Sequence, residues 1–177
     1  INPLYKANRK STRKPICFGP LLEFIKEEFN HVILDRLEAD DTMGILATQE
    51  PDRYLIVSDD KDMLTIRDAR IWIKGAVVHI TEQEAYENFI TQALKGDPTD
   101  GYYGCKGIGE VTARKIIDKH RGTPESLWEG VLKTYKGDAE DALLNARMAR
   151  ILTAELWDGE APILWNPPIT LKEVANA

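Results

Sequence analysis

The chain has 177 residues, 43% of them hydrophobic, enough to bury the core of one domain with a small appendage. Its formal net charge of −6 argues, in bulk, against a polyanionic partner. No apolar run is long enough to span a membrane and no hydrophobic signal segment opens the chain. Cys17 and Cys105 stand far apart without CxxC spacing, which excludes a zinc or disulfide framework and reads as two buried free thiols.

Taken in chain order, Leu21, Leu22, Ile25 and Phe29 recur at a helical period, so residues 18–29 are expected to form a helix. The apolar run from His31 to Leu34 reads as a short buried strand. Residues 39–47 read as a helix with Asp40 and Asp41 at its start, and Tyr54 to Val57 as the clearest strand. Asp62 to Ile66 suggests a short helix. Residues 70–80 suggest a hairpin turning at Lys74-Gly75. Thr81 and Glu84 have capping-box spacing, opening a helix that runs to about Leu94. Further helices are expected over 110–120, 124–135 and 139–156, followed by a Pro-rich extended end. Trp72, Trp128, Trp157 and Trp165 read as core or helix-packing residues. Strands alternating with helices and then helices alone point to an α/β fold with a parallel-type sheet and a helical C-terminal half.

The charges are sorted along the chain. Every charged residue from Lys6 to Lys14 is basic, and a second basic set, Arg114, Lys115, Lys119 and Arg121, follows a glycine-rich turn. The acids gather in three clusters: Glu38, Asp40 and Asp41; Asp60 and Asp62; Asp97 and Asp100. Carboxylates held close repel one another unless a cation joins them. All-oxygen ligands suit Mg²⁺ or Mn²⁺, and pairs of such ions are the usual apparatus for phosphodiester cleavage. Ligands of open α/β sheets gather beyond the carboxyl ends of strands. The first two clusters follow the expected strands at 31–34 and 54–57, so chain order predicts that Glu38, Asp40, Asp60 and Asp62 converge. Singly, each cluster also reads as a helix start or a solvated turn; together, they favour a metal-dependent nuclease.

Gly104-Cys105-Lys106-Gly107-Ile108-Gly109 precedes a basic helix. Two glycines around an aliphatic residue suit a tight hairpin with outward N–H groups, and the helix N-terminus beyond it is a natural phosphate seat. Thr112, Arg114 and Lys115 would add contacts that read backbone and not base. An ordinary helix–turn–helix corner is the plainer alternative. His31, His79 and His120 have no partner at metal-ligand spacing.

The ordered segments Glu38-Ala-Asp-Asp41, Val57-Ser-Asp-Asp-Lys-Asp62, Gly96-Asp-Pro-Thr-Asp100 and Gly104–Gly109 resemble the 5′-nuclease (flap endonuclease) superfamily, over nearly the whole chain. Asn2-Pro-Leu-Tyr5-Lys-Ala-Asn-Arg9-Lys10 and Met148-Ala-Arg-Ile-Leu152 look closer still to the 5′→3′ exonucleases of short-tailed lytic phages. The resemblance implies a PIN-like sheet with flanking helices, two divalent metals, and a helix–three-turn–helix element gripping duplex or flapped DNA or an RNA–DNA hybrid. It implies nuclease core over 1–95, with the foot of an arch at 1–15, and a helical DNA-binding region over 96–177. By position, Glu38, Asp40, Asp41, Asp60, Asp62, Asp97 and Asp100 match metal-cluster acids. Lys6 and Arg9 match arch-foot residues that contact the scissile phosphate. Gly107, Ile108 and Gly109, beside Lys10 and Lys106, match DNA-binding positions, with K⁺ often held at the hairpin.

Two departures accompany the resemblance. The family supplies two more metal-site aspartates and a first strand from a segment preceding the Tyr5–Arg9 stretch, and the chain opens at Ile1 without them. This implies either a separate N-terminal fragment as partner or a catalytically silent DNA-binding piece. Asp59 stands where relatives carry a small residue, and no ligand role is assigned to it. A PIN-type RNA-cleaving toxin would share the acids but not need the Gly104–Gly109 hairpin. The phage resemblance implies action in the bacterial host cytoplasm.

Overall fold

The structure is a computed structural model, and it describes residues 13–169. Six helices appear among them: α1 (Phe18–Glu28), α2 (Ala39–Gln49), α3 (Glu82–Lys95), α4 (Glu110–His120), α5 (Pro124–Thr134) and α6 (Ala139–Ala149). Three strands, β1 (Ile56–Val57), β2 (Arg70–Ile73) and β3 (Ala76–His79), form a sheet in that order. The pair β1–β2 is parallel, joined through a 3₁₀ turn at Lys61–Thr65, and β2–β3 is an antiparallel hairpin, so the sheet is mixed. Lys74 and Gly75 both take positive φ, 50° and 83°, which is the twist a two-residue hairpin loop requires.

Register sets the two faces of the sheet. Ile56, Ile71 and Val78 align across the strands on the inner face, while Val57, Trp72 and Val77 align on the outer one. The inner row packs with Ala47, Met63, Ile66 and Ala85 into one apolar cluster. A second cluster joins Phe89, Ile90, Ala93 and Leu94 of α3 to Ile117, Trp128, Val131 and Ala146 of the later helices. Helix α3 serves both because its apolar residues recur at helical spacing along its length, Ala85 facing the sheet cluster and Phe89 onward facing the helices. Its start is the expected capping box: the Thr81 hydroxyl accepts from the Glu84 N–H, and the Glu84 carboxylate accepts from the Thr81 N–H.

Several expectations are corrected. Residues 31–34 form no strand; Val32 and Ile33 are exposed, the latter by 66%, because no neighbouring strand is there to accept their backbone hydrogen bonds. The first acidic cluster therefore starts a helix and does not follow a strand. Helix α1 forms where expected, but none of its residues is buried. Cys17, just before it, is exposed, and only Cys105 is partly sheltered, its thiol directed at the Thr134 carbonyl. Trp72 sits on the outer sheet face, 40% exposed, and not in a core.

The last helix stops at Ala149 instead of running on to 156. The Leu152 N–H donates to the Asp41 carboxylate and the Ala154 N–H to the Thr48 hydroxyl, so α2 takes the donors a longer helix would use. The extended end then packs back: Trp165 meets Phe89 and Trp128 edge to face at 5.1 and 5.2 Å, held by Arg147 donating to its carbonyl. No helix among the described residues is long and apolar enough to cross a membrane.

Candidate functional site

Acids from three distant segments meet at one cavity of about 460 Å³, whose lining includes Glu38, Asp40, Asp41, Asp62 and Asp100. Glu38 is the N-cap residue of α2, and Asp40 and Asp41 lie in its first turn, where the helix dipole favours negative charge. Asp62 lies in the 3₁₀ turn after β1, and Asp100 in the loop after α3.

Each local fold has a cause. The Asp60 carboxylate caps the 3₁₀ turn by accepting from the Asp62 N–H at 2.9 Å, and the Ser58 hydroxyl accepts from the Asp60 N–H. Asp97 likewise accepts from the Thr99 N–H at 2.8 Å, closing the turn that carries Asp100. Asp60 and Asp97 do not line the cavity, but both raise the pKa of Asp62 by their charge. Asp59, assigned no ligand role, accepts from the Lys74 N–H and ties the hairpin to the end of β1.

The loop over 96–104 is pinched where Gly96 and Gly104 touch back to back. Both have positive φ, 72° and 63°, and a Cβ on either would run into the backbone of the other. The Asn145 side chain of α6 accepts from the Gly104 N–H, fastening the loop to the helical core.

Two acids carry raised pKa values. For Asp62 the chief cause is burial, followed by the Asp60 and Asp97 charges, with Lys61 and Lys95 opposing them. For Asp41 burial again leads, with the Glu38 and Asp40 charges adding to it and the hydrogen bond from Leu152 working against it. The donor set is all oxygen and net anionic, which suits a hard divalent cation. Among the described residues, however, no three His, Cys, Asp or Glu side chains are gathered closely enough to hold a metal ion.

Some partners of the acids escape sequence reasoning. Gln92 of α3 donates to Asp62 at 2.8 Å, and the Leu152 N–H donates to Asp41 at 3.0 Å. Arg36, Arg147 and Arg150 also line the cavity. Lys95 bonds Glu110 at 2.9 Å, joining the end of α3 to the start of α4. The capping-like position of Gln92 near the end of a helix is the one signal that pointed toward the loop; the others come from contacts more than a hundred residues apart in sequence or from helix ends.

The glycine segment turns as expected. The Ile108 N–H donates to the Cys105 carbonyl, Gly107 has φ 83°, and Gly109 is the N-cap residue of α4. Lys106, Gly107, Gly109, Thr112 and Lys115 are exposed, and Ile108 is half-buried against the helical core. Arg114 is exposed but engaged, donating to Glu110 and to Asn88 of α3. Arg121, at the far end of α4, forms a two-pronged pair with the nearly buried Glu87, both contacts 2.9 Å. Lys6, Arg9 and Lys10 lie outside the described residues.

The chain is 35% identical over 167 residues to the exodeoxyribonuclease of Enterobacteria phage T3, across 89% of this chain and 54% of that protein. It is 32% identical to the exonuclease of Escherichia phage T7 over the same shares. Against DNA polymerase I of Mycobacterium tuberculosis it is 33% identical over 189 residues, 93% of this chain and 20% of that protein. The chain thus spans about half the length of the phage relatives it matches. No family model matches it. Among solved structures, the T5 5′-exonuclease with bound divalent zinc superposes with a TM-score of 0.56 at 18% identity, over 83% of this chain and 71% of that one. The T5 D15 flap endonuclease in a pseudo-enzyme-product complex with DNA and metal ions gives 0.54 at 18% identity, over the same shares. The sequence matches make the phage exonucleases homologues of this chain, and the superpositions show that it has the 5′-nuclease fold with a helical C-terminal half.

Proposed function

We propose that this chain, a homologue of the T3 and T7 exonucleases with the fold of the T5 5′-exonuclease, is the acid-bearing and DNA-gripping part of a metal-dependent 5′→3′ exonuclease or flap-type nuclease. The observation that carries this reading is the meeting of Glu38, Asp40, Asp41, Asp62 and Asp100, from three separate segments, at one cavity. Asp60 and Asp97 act on the same site through their charge. These seven acids would hold two Mg²⁺ or Mn²⁺ ions. Such ions supply an acidified water and neutralise charge on the reacting phosphate and leaving oxygen.

The protein's own share is placement. Gln92 and the Leu152 N–H fix Asp62 and Asp41, while the turn at Gly107–Gly109 and the exposed Lys106, Thr112 and Lys115 grip the sugar–phosphate backbone, with K⁺ as a further ion at the hairpin. Lys6 and Arg9 would face the scissile phosphate and Lys10 the duplex; these roles rest on the family resemblance. Residues 1–95 would form the nuclease core and 96–177 the DNA-binding part. The substrate would be duplex or flapped DNA, or RNA paired to DNA, in the cytoplasm of a phage host.

The absence, among the described residues, of three acids close enough to hold a metal favours a second reading: a DNA-binding fragment that cuts only when joined by a separate N-terminal segment. A cleavage assay on 5′-labelled duplex with Mg²⁺ or Mn²⁺ separates the two. The first reading expects cleavage that Asp62→Ala reduces by at least about 100-fold while duplex binding persists. Binding with no cleavage under either metal would leave the second reading standing. Undiminished cleavage by Asp62→Ala would remove Asp62 from the site.

A further inference from the structure

Arg150 lies on the wall of the acid-lined cavity, in the segment that follows α6. Its guanidinium stands 4.9 Å from the centre of the Phe89 ring. The Nε atom is shut away from solvent and donates to nothing among the described residues. The carboxylate whose charge it feels, Glu155, is already bonded to Arg67 at 2.6 Å. The ring face of Phe89 offsets part of the charge, but a buried guanidinium without a counter-ion or acceptor remains among the costliest features a fold can carry.

The Tyr86 hydroxyl of α3 feels the Arg150 charge and is also buried without a hydrogen-bond partner. The remaining buried side-chain atom without a partner among the described residues is the Thr153 hydroxyl, three positions beyond Arg150. Unmet donors are thus concentrated at one short segment and the helix facing it. A water molecule would satisfy an N–H but not the charge. An oxyanion satisfies both, and the guanidinium fork matches the edge of a phosphate.

We propose that Arg150 and the Tyr86 hydroxyl form an oxyanion site that takes a phosphate monoester through the acid-lined cavity. Naming the source of that phosphate, the 5′ end of a strand or a released mononucleotide, rests on the nuclease reading; binding of phosphate itself does not.

The test uses the full chain and inorganic phosphate, at an ionic strength held constant with chloride. Phosphate is expected to raise the melting temperature saturably. Arg150→Met should abolish that rise, and Tyr86→Phe should weaken phosphate binding roughly tenfold. No phosphate-dependent rise, or an equal rise in Arg150→Met, would overturn the site. Should Arg150→Met fail to fold, unchanged phosphate affinity in Tyr86→Phe would overturn it instead. Stronger binding of 5′-phosphorylated than of 5′-hydroxyl duplex, lost on substitution, supports the site with strand ends as its ligand. Binding of a 5′-mononucleotide without that preference supports it with the product as its ligand. Phosphate binding in a protein that cleaves nothing would refute the nuclease reading and leave the site intact.

Discussion

Asp62 is held against its own charge. Burial raises its pKa, the neighbouring Asp60 and Asp97 raise it further, and Lys61 and Lys95 only partly compensate. A carboxylate that folding makes harder to ionise costs stability once it is ionised, so at neutral pH this group opposes folding until a cation joins it. Asn at the same position keeps the oxygen that accepts from Gln92 and loses the charge. In chelator-treated protein at neutral pH, Asp62→Asn is therefore expected to melt at a higher temperature than the parent. Millimolar Mg²⁺ should raise the parent more than the variant and narrow the gap. A variant that melts lower without metal would show that the charge is already compensated, and equal responses to Mg²⁺ would remove the ion from Asp62.

At the scale of elements, the acids depend on how closely α2 approaches the segment after α6. Gly44 lies buried in α2, and a Cβ there would collide with the Leu152 carbonyl and meet the Ile151 side chain. The Leu152 N–H is the same group that holds Asp41. An exposed helix glycine gains stability on changing to Ala, but here overpacking against rigid backbone wins. Gly44→Ala is expected to destabilise the protein by about 1–3 kcal/mol, read by urea unfolding, and to weaken metal binding by displacing Asp41. A stabilised variant would contradict the contact. Nothing in the local sequence marks Gly44, since its neighbour is more than a hundred residues away. Where local chemistry decides, the sequence is legible: the Thr81–Glu84 box, the Lys74-Gly75 turn and the bounds of α4 follow from residues a few positions apart. The run from His31 to Leu34 misleads because an apolar stretch becomes a strand only beside another strand. The acid clusters were legible as a set, whereas Gln92, Arg150 and the Leu152 N–H enter the site through packing alone.

For the whole molecule, a net charge of −6 conceals a division of labour. The acids line the cavity, while Lys106 and Lys115 stand exposed beside the turn that leads into α4. Gly107 fixes the shape of that turn: its φ of 83° is open to glycine and nearly closed to a β-branched residue, although a side chain there would meet nothing within 4 Å. Gly107→Val therefore acts through the backbone and not through a clash. Forcing the left-handed conformation costs about 1–2 kcal/mol, so the turn relaxes and its N–H groups leave their outward positions. Duplex binding is expected to weaken roughly tenfold, equally for every sequence, because contacts to phosphates carry no base information. The slope of log affinity against log salt should flatten in the same variant, since fewer counterions are released on binding. The check is a binding titration on two duplexes of unrelated sequence at several salt concentrations. A loss confined to one sequence would mean that the turn reads bases, and unchanged affinity with an unchanged slope would place the duplex elsewhere on the molecule.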